Sequence, residues 1–420
     1  MTKPKLLWVG DIAMTGFGRV TGALLPRLRD KYDIAVLASN HHGDPCEEQN
    51  LYRVYPASNR FQQAPFGEER IREIVEREQP DIVCTLNDPW IASGQYQRIE
   101  DLHKQGKFKF VGYLTMDSYN WLGGIDPHIN VWDSVIAFTE FGAYEFLKAG
   151  INRPITVIPH GLDTGVFYPK DKKEARKELR LSEDIFICFN GQRNQPRKRI
   201  DITIAAFAQF AVGRPDAQMY LHMGLKDQGW DALGLFGREM KKNGLDPNGR
   251  IIMTTNTPQP PNVPVEMLNT IYSVADLGIN TCSGGGWELV NFEHAACRVA
   301  QVVPDHTSTK EIFEGHGKLI RCDHIDVDHN YGREMPCPSV EHLVEILVEL
   351  YEDRDELERV AQACYGRVTE DQFKWDNISD QFDGVFQEVL QAEPLVGAES
   401  VSVEKKGKCK KRRKKMSVGS

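Results

Sequence analysis

The stretch NTCSGGGWELVNFEHAAC, residues 280–297, carries three consecutive glycines, a Trp, and then Glu288 and Glu293 in an otherwise apolar run. DLGINTC (276–282) is rich in β-formers, and ELVNFEHAACR (288–298) sets Leu289, Phe292 and Ala296 on one side at helical spacing. The segment therefore reads as strand, glycine loop, helix. Without Cβ atoms the loop lets the backbone approach a ligand closely, and a helix start offers free N–H groups to phosphate. Five residues at about 100° each put Glu288 and Glu293 about 140° apart, so they do not share a helix face. With the helix starting near 289, Glu288 stands at its N-terminal boundary and is expected to point into a cleft.

The same alternation runs outward from this segment. Strands are expected at 5–10, 32–39, 81–87, 108–115, 133–139 and 155–161, with helices at 67–79 and 140–150 between them. FYPKDKKEARKELRLSED (167–184) is a charged break. A second series follows, with strands at 185–191, 217–224, 250–255, 276–282, 298–304 and 317–322 and helices at 199–213, 339–353 and 355–368. Near-continuous apolar strands separated by helices indicate parallel sheets covered on both faces. The fold class is thus α/β, with two doubly wound Rossmann-like domains facing across a cleft and a hinge near 165–185. On such sheets ligands bind at the C-terminal ends of strands.

Composition sets wide bounds. The chain has 420 residues, 41% hydrophobic and 26% charged, which is ordinary globular usage. Its nine cysteines include no C-x-x-C pair, and Cys84 and Cys188 sit inside apolar runs, as for reduced, buried thiols in an intracellular protein. The N-terminal apolar run ends at Asp11, too short for a signal sequence, and no stretch approaches membrane-spanning length. A cytoplasmic location is expected. The net charge of −9 conceals an asymmetry. KKGKCKKRRKK (405–415) carries nine Lys/Arg, which leaves 42 basic against 60 acidic residues elsewhere, a balance of −18. The tail from about 393 onward lacks periodicity and is expected to be disordered. It reads as a solvated tail, a localisation signal, or an arm for a polyanion such as nucleic acid or an anionic membrane surface.

Three further loops lie at expected strand ends. NGQRNQPRKRID (190–201) concentrates Arg193, Arg197, Lys198 and Arg199, fixed positive charge of the kind a diphosphate needs. VIPHGLDTGVFYP (157–169) closes the first series, and GDIAMTGFGRVTGALL (10–25) opens the first helix on a glycine loop. With the opening stretch, these resemble the retaining glycosyltransferases of the GT-B fold, group 1 family, over about residues 5–385. The resemblance implies domains at 1–165 (acceptor side) and 166–370 (nucleotide-sugar side), a helix at 371–392 crossing back, and the tail at 393–420. It implies that Gly16 and Gly18 face the donor phosphates, that His160 belongs to the hinge motif, and that Arg193 and Lys198 hold the diphosphate. Gly286, Trp287, Glu288 and Leu289 form the donor loop, and Glu293, the second Glu of the family's Glu-seven-Glu signature, binds the ribose. Ser308 and Glu311, in the following loop, have the spacing of a capping box.

The family's first Glu, which contacts the donor sugar, would stand at 285, where this chain has glycine. Glu288 lies three residues later, where the family usually has glycine, and Arg298 and Ala300 replace the usual Gly and Pro. Either Glu288 takes over the sugar contact, or donor choice differs, or activity is lost. The first is the expectation carried forward, with Asp117, Arg193, Lys198 and Glu288 as the catalytic set. Asp117 ends a strand in YLTMDSYNWLGG (113–124) and would steer the acceptor hydroxyl. Asp88 and Trp90 end another, and carboxylates with aromatics suit a sugar or nucleobase. DHIDVDH (323–329) offers Asp326-x-Asp328 between His324 and His329, but reads as a polar surface loop, and no metal or cofactor is expected. The expected activity moves sugar from a nucleotide-diphosphate sugar, as co-substrate, to a glycan, lipid-linked, protein or modified nucleic-acid acceptor. A glycosyltransferase acting on modified DNA bases, and a non-catalytic sugar-nucleotide or glycan binder, remain open.

Overall fold

The computed structural model describes residues 2–58, 64–121, 125–328 and 332–393. The basic tail and His329 lie outside the described residues. The first domain is a parallel sheet of seven strands: β1 (Lys5–Asp11), β2 (Asp33–Ser39), β3 (Arg53–Pro56), β4 (Ile82–Asn87), β5 (Lys109–Leu114), β6 (Ser134–Ala137) and β7 (Ile155–Val157). Their order is β3-β2-β1-β4-β5-β6-β7. The second has six parallel strands: β8 (Phe186–Asn190), β9 (Ala217–Leu221), β10 (Ile251–Met253), β11 (Leu277–Ile279), β12 (Ala300–Pro304) and β13 (Lys318–Ile320), ordered β10-β9-β8-β11-β12-β13. Central strands such as β4 and β8 are buried along their whole length, as sheets covered on both faces require. Strand order reverses between β1 and β4 and between β8 and β11, and the loops after those strands are the ones the sequence singles out.

DHIDVDH is not a loop. β14 (Cys322–Val327) pairs antiparallel with β15 (Glu334–Pro338). The alternation His324–Ile325–Asp326–Val327 fits a two-stranded ribbon, although Ile325 and Val327 face solvent, so no apolar side marks it as a strand. Ser308 and Glu311 form no capping box. The Glu311 carboxylate instead accepts from the backbone N–H groups of Glu140 and Phe141, at 2.9 and 2.8 Å, and so caps a helix of the first domain. Ser308 donates to the Gly285 carbonyl at 2.8 Å.

The last helix, Trp375–Gln391, packs on the first domain. Phe382 meets Trp8 and Tyr113 edge-on, and Asp383 accepts from Tyr32 at 2.7 Å and pairs with Lys31 at 2.9 Å. Where the chain enters it, the Leu162 N–H donates to the Phe373 carbonyl at 2.7 Å, and the Gly161 Cα lies against the Trp375 indole. A methyl group there would have to displace that ring. Gly161→Ala should therefore lower stability by about 1–3 kcal/mol in urea unfolding; an unchanged midpoint would contradict this packing.

Candidate active site

The glycine run is placed by contact across the cleft. A Cβ at Gly284 would run into the Asp117 carbonyl oxygen, and one at Gly286 into the Thr115 hydroxyl. Both partners follow β5 of the first domain. The run thus lets the loop after β11 abut the strand end of the other domain. At Gly285 the obstacle is internal: its Cβ would fall within the Glu288 carboxylate. Glu288 takes a left-handed backbone, φ 66°, ahead of the helix Leu289–Ala296, and its side chain folds back over residue 285. Arg298 is also left-handed, φ 59°. Both departures from family glycines therefore keep the backbone that glycine adopts most easily, at a cost of about 1–2 kcal/mol each.

Glu288 is buried, and its charge is matched. Lys198, itself buried, donates to Oε1 at 2.5 Å, Asn280 donates to Oε2 at 3.1 Å, and Arg197 stands 4.0 Å away. Burial alone would raise the carboxyl, yet Lys198, Arg197 and Asn280 together hold it below the ordinary carboxylate range. Arg197 also donates to the Gly284 carbonyl at 2.9 Å. Arg193 lies outside this cluster. Asp227, a largely buried carboxylate, takes it as partner at 2.7 Å and turns it toward solvent. The cation brought to the site beside Lys198 is Arg197, which shares its loop and gives no separate signal in sequence.

In the first domain, Asp88 precedes the helix Pro89–Gln97 without capping it. Burial and the neighbouring Asp117 push its carboxyl up to about 7, opposed by Arg197 and Arg333. Asp117 is engaged, taking Arg333 at 3.2 Å and a hydrogen bond from Ser118 at 3.1 Å. Arg333 arrives from the β14–β15 ribbon and lies over the stacked rings of Trp90 and Trp121, 6.0 and 5.5 Å from their centroids. Next to it, Tyr119 and Glu334 exchange backbone hydrogen bonds at 3.0 and 2.9 Å, so the ribbon joins the first domain. A cavity of about 650 Å³ lies between the ribbon and the loops after β8 and β11, lined by Arg197, Arg199, Trp230, Ser283 and Arg333 among others.

Gly16 begins the helix Gly16–Leu28, and a Cβ there would touch Leu289 across the cleft at 3.5 Å. Gly18 is fixed by its own turn, where a side chain would collide with the Ala13 carbonyl. His160 and Trp287 are packed core. His160 Nδ1 lies 2.6 Å from the Tyr113 hydroxyl, its ring packs on Trp287, and burial pulls its pKa down to about 3, so it stays neutral. Glu293 is paired with Arg19 of the first domain. His324, Asp326 and Cys337 bring possible metal-ligating atoms within 4.8 Å of one another. Arg199 already donates to Asp326 at 3.2 Å and to the Cys337 sulfur at 2.6 Å, so a cationic group stands in that cluster.

Residues 14–166 match the family model described as Glycosyltransferase Family 4. Two curated relatives are D-inositol 3-phosphate glycosyltransferases. That of Segniliparus rotundus is 31% identical over 175 residues, which span 39% of this chain and 35% of the relative. That of Nocardioides sp. is 29% identical over 100 residues, which span 23% and 22%. The chain therefore spans about a third or less of the relatives it matches. Among solved structures, a sucrose-phosphate synthase from Thermosynechococcus elongatus superposes with TM-score 0.70 at 17% identity, covering 93% of this chain and all (100%) of that one. Anabaena HepE in complex with UDP-glucose gives TM-score 0.66 at 16% identity, covering 92% and 100%. The fold is GT-B, and the family match lies within its first domain.

Removing Lys198 strands a buried carboxylate. Lys198→Met should cost about 3–5 kcal/mol, and Lys198→Met with Glu288→Gln should recover part of it. Because Glu288 is held below its ordinary value, the pair stabilises the fold above the unfolded carboxylate pKa. That contribution is lost as pH falls through the folded pKa. Denaturant unfolding of the two variants from neutral to acid pH checks both statements.

Proposed function

We propose that this chain, of GT-B fold and with a first domain that matches Glycosyltransferase Family 4, is a retaining glycosyltransferase that uses a nucleotide-diphosphate sugar. The observation that carries this reading is the Glu288 carboxylate lying over the Cα of Gly285. The family's first glutamate would project from that point, so a carboxylate is available near its place although the residue is not. The UDP-glucose bound by HepE supports a donor of the same class.

In this reading Lys198, Arg197 and the helix start at Leu289 stabilise the leaving diphosphate, placing charge where it develops. Glu288 hydrogen-bonds the sugar, and Glu293 the ribose. Glu288 is tied to Lys198 and Asn280, and Asp117 to Arg333 and Ser118, so neither carboxylate is offered as a nucleophile. The front-face route, in which the leaving phosphate helps deprotonate the acceptor, is the one adopted. Asp88, rather than the engaged Asp117, receives a hydrogen bond from a substrate hydroxyl. The residues named act without a metal ion.

Turnover is checked by a hydrolysis screen over UDP-, GDP-, ADP- and TDP-sugars. Glu288→Gln should lower kcat by about a hundredfold with donor KM little changed, as expected for an interaction made in the transition state. Equal kcat would remove Glu288 from the mechanism, and no turnover with any of the donors would favour a binding protein. Asp88 must be ionised to accept the hydroxyl, so kcat/KM should rise as pH passes up through about 7, and Asp88→Asn should lose that limb. EDTA should leave the rate unchanged; a loss restored by a divalent ion would contradict the metal-free reading.

A further inference from the structure

Glu293 is a buried carboxylate with two unlike oxygens. Oε2 is held by Arg19 and by the Tyr272 hydroxyl at 3.5 Å. Oε1 has no hydrogen-bond partner among the described residues. Arg19 does not belong to the same domain. It lies in the first turn of the helix Gly16–Leu28, beside the glycine loop, while Glu293 lies in the helix Leu289–Ala296 of the second domain. Its guanidinium also sits over the Phe167 ring at 5.8 Å, so its direction is fixed from two sides.

We infer that Arg19 is a positioning residue for the donor. It anchors one oxygen of Glu293 and keeps that carboxylate charged, so that the other oxygen is presented to the ribose hydroxyls. This rests on the reading of Glu293 as the ribose ligand. It also adds a coupling. Opening the cleft takes Arg19 away from Glu293, so the donor site is complete only when the domains are closed.

The electrostatics of the pocket agree. Burial raises the Glu293 carboxyl, and Arg19 and Tyr272 oppose the rise. The other groups facing the pair do not titrate near neutrality. Burial and Arg19 pull His222 down to about 4, and burial pushes Tyr272 and Cys297 well above their ordinary values. Burial pulls His294, whose ring packs on Tyr272, down to about 3, and Lys170 and Lys172 are further charges nearby. Without Arg19 the Glu293 carboxyl therefore moves further up.

Calorimetric titration with UDP, GDP, ADP and TDP in turn, from about pH 6 to about pH 8.5, tests this. The unaltered protein should bind one of them, and each variant is read as its affinity relative to the unaltered protein at the same pH, which cancels titration of the ligand's own terminal phosphate (pKa about 6). Arg19→Met should bind it about tenfold or more weakly at the acid end, as for loss of a charge-assisted hydrogen bond, and recover as pH rises and Glu293 ionises. Arg19→Lys, which keeps the charge, should stay flat. Arg19→Met with Glu293→Gln keeps neither member of the pair to titrate, and its affinity relative to the unaltered protein should be low at every pH. Arg19→Met binding like the unaltered protein at every pH, or a pH slope that persists in the double variant, would overturn the role of Arg19 alone. Binding of none of the four diphosphates by the unaltered protein would overturn the donor reading and this inference with it.

Discussion

The site depends on a contact that only backbone can make. The loop after β11 and the chain after β5 belong to different domains, and they meet at Gly284 and Gly286 with no room for a Cβ. Close approach brings the two sets of strand ends together. Asp88 and Asp117 from the first domain then share one space with Arg197, Lys198 and Glu288 from the second. A side chain at either glycine would push the sheets apart and separate the charges that give the cleft its chemistry.

Charge matching follows from that closeness. An unpaired buried carboxylate costs several kcal/mol, so each acid must find a partner. Glu288 finds Lys198 within its own domain, whereas Glu293 and Asp117 find Arg19 and Arg333 from the opposite side of the cleft. Glu311 uses the same device with uncharged partners, its carboxylate capping a helix of the first domain. The β14–β15 ribbon extends the contact through backbone hydrogen bonds to Tyr119. Asp88 is the exception. Its nearest strong influence is another carboxylate, and its raised pKa records that imbalance. Perturbed groups of this kind collect where chemistry is done.

Much of this was legible in the sequence for a physical reason. Buried parallel strands are long apolar runs, and a glycine-rich strand-to-helix turn is marked by composition, so the two α/β series and the loops after β1, β8 and β11 could be read. The helix start at Leu289 could be read for the same reason. Pairings between residues far apart in the chain could not. Nothing local distinguishes Arg197 from Arg193; the choice is made by Asp227, which draws Arg193 away. Glu311 has capping-box spacing, yet the nearest unsatisfied N–H groups belong to another domain. The ribbon was missed because its alternation is short and its apolar residues face solvent. Arg19 carries no motif at all, and only the closed cleft gives it a partner.

The account turns on whether Glu288 does the work of a glutamate absent from 285. The direct measurement moves the carboxylate. Donor turnover should collapse in Glu288→Gly and return in the double variant Gly285→Glu/Glu288→Gly, which restores glycine to the left-handed position and lets the new side chain occupy the space Glu288 has vacated. Turnover that survives Glu288→Gly, or that does not return in the double variant, would contradict the exchange and leave the position of this carboxylate a matter of packing alone.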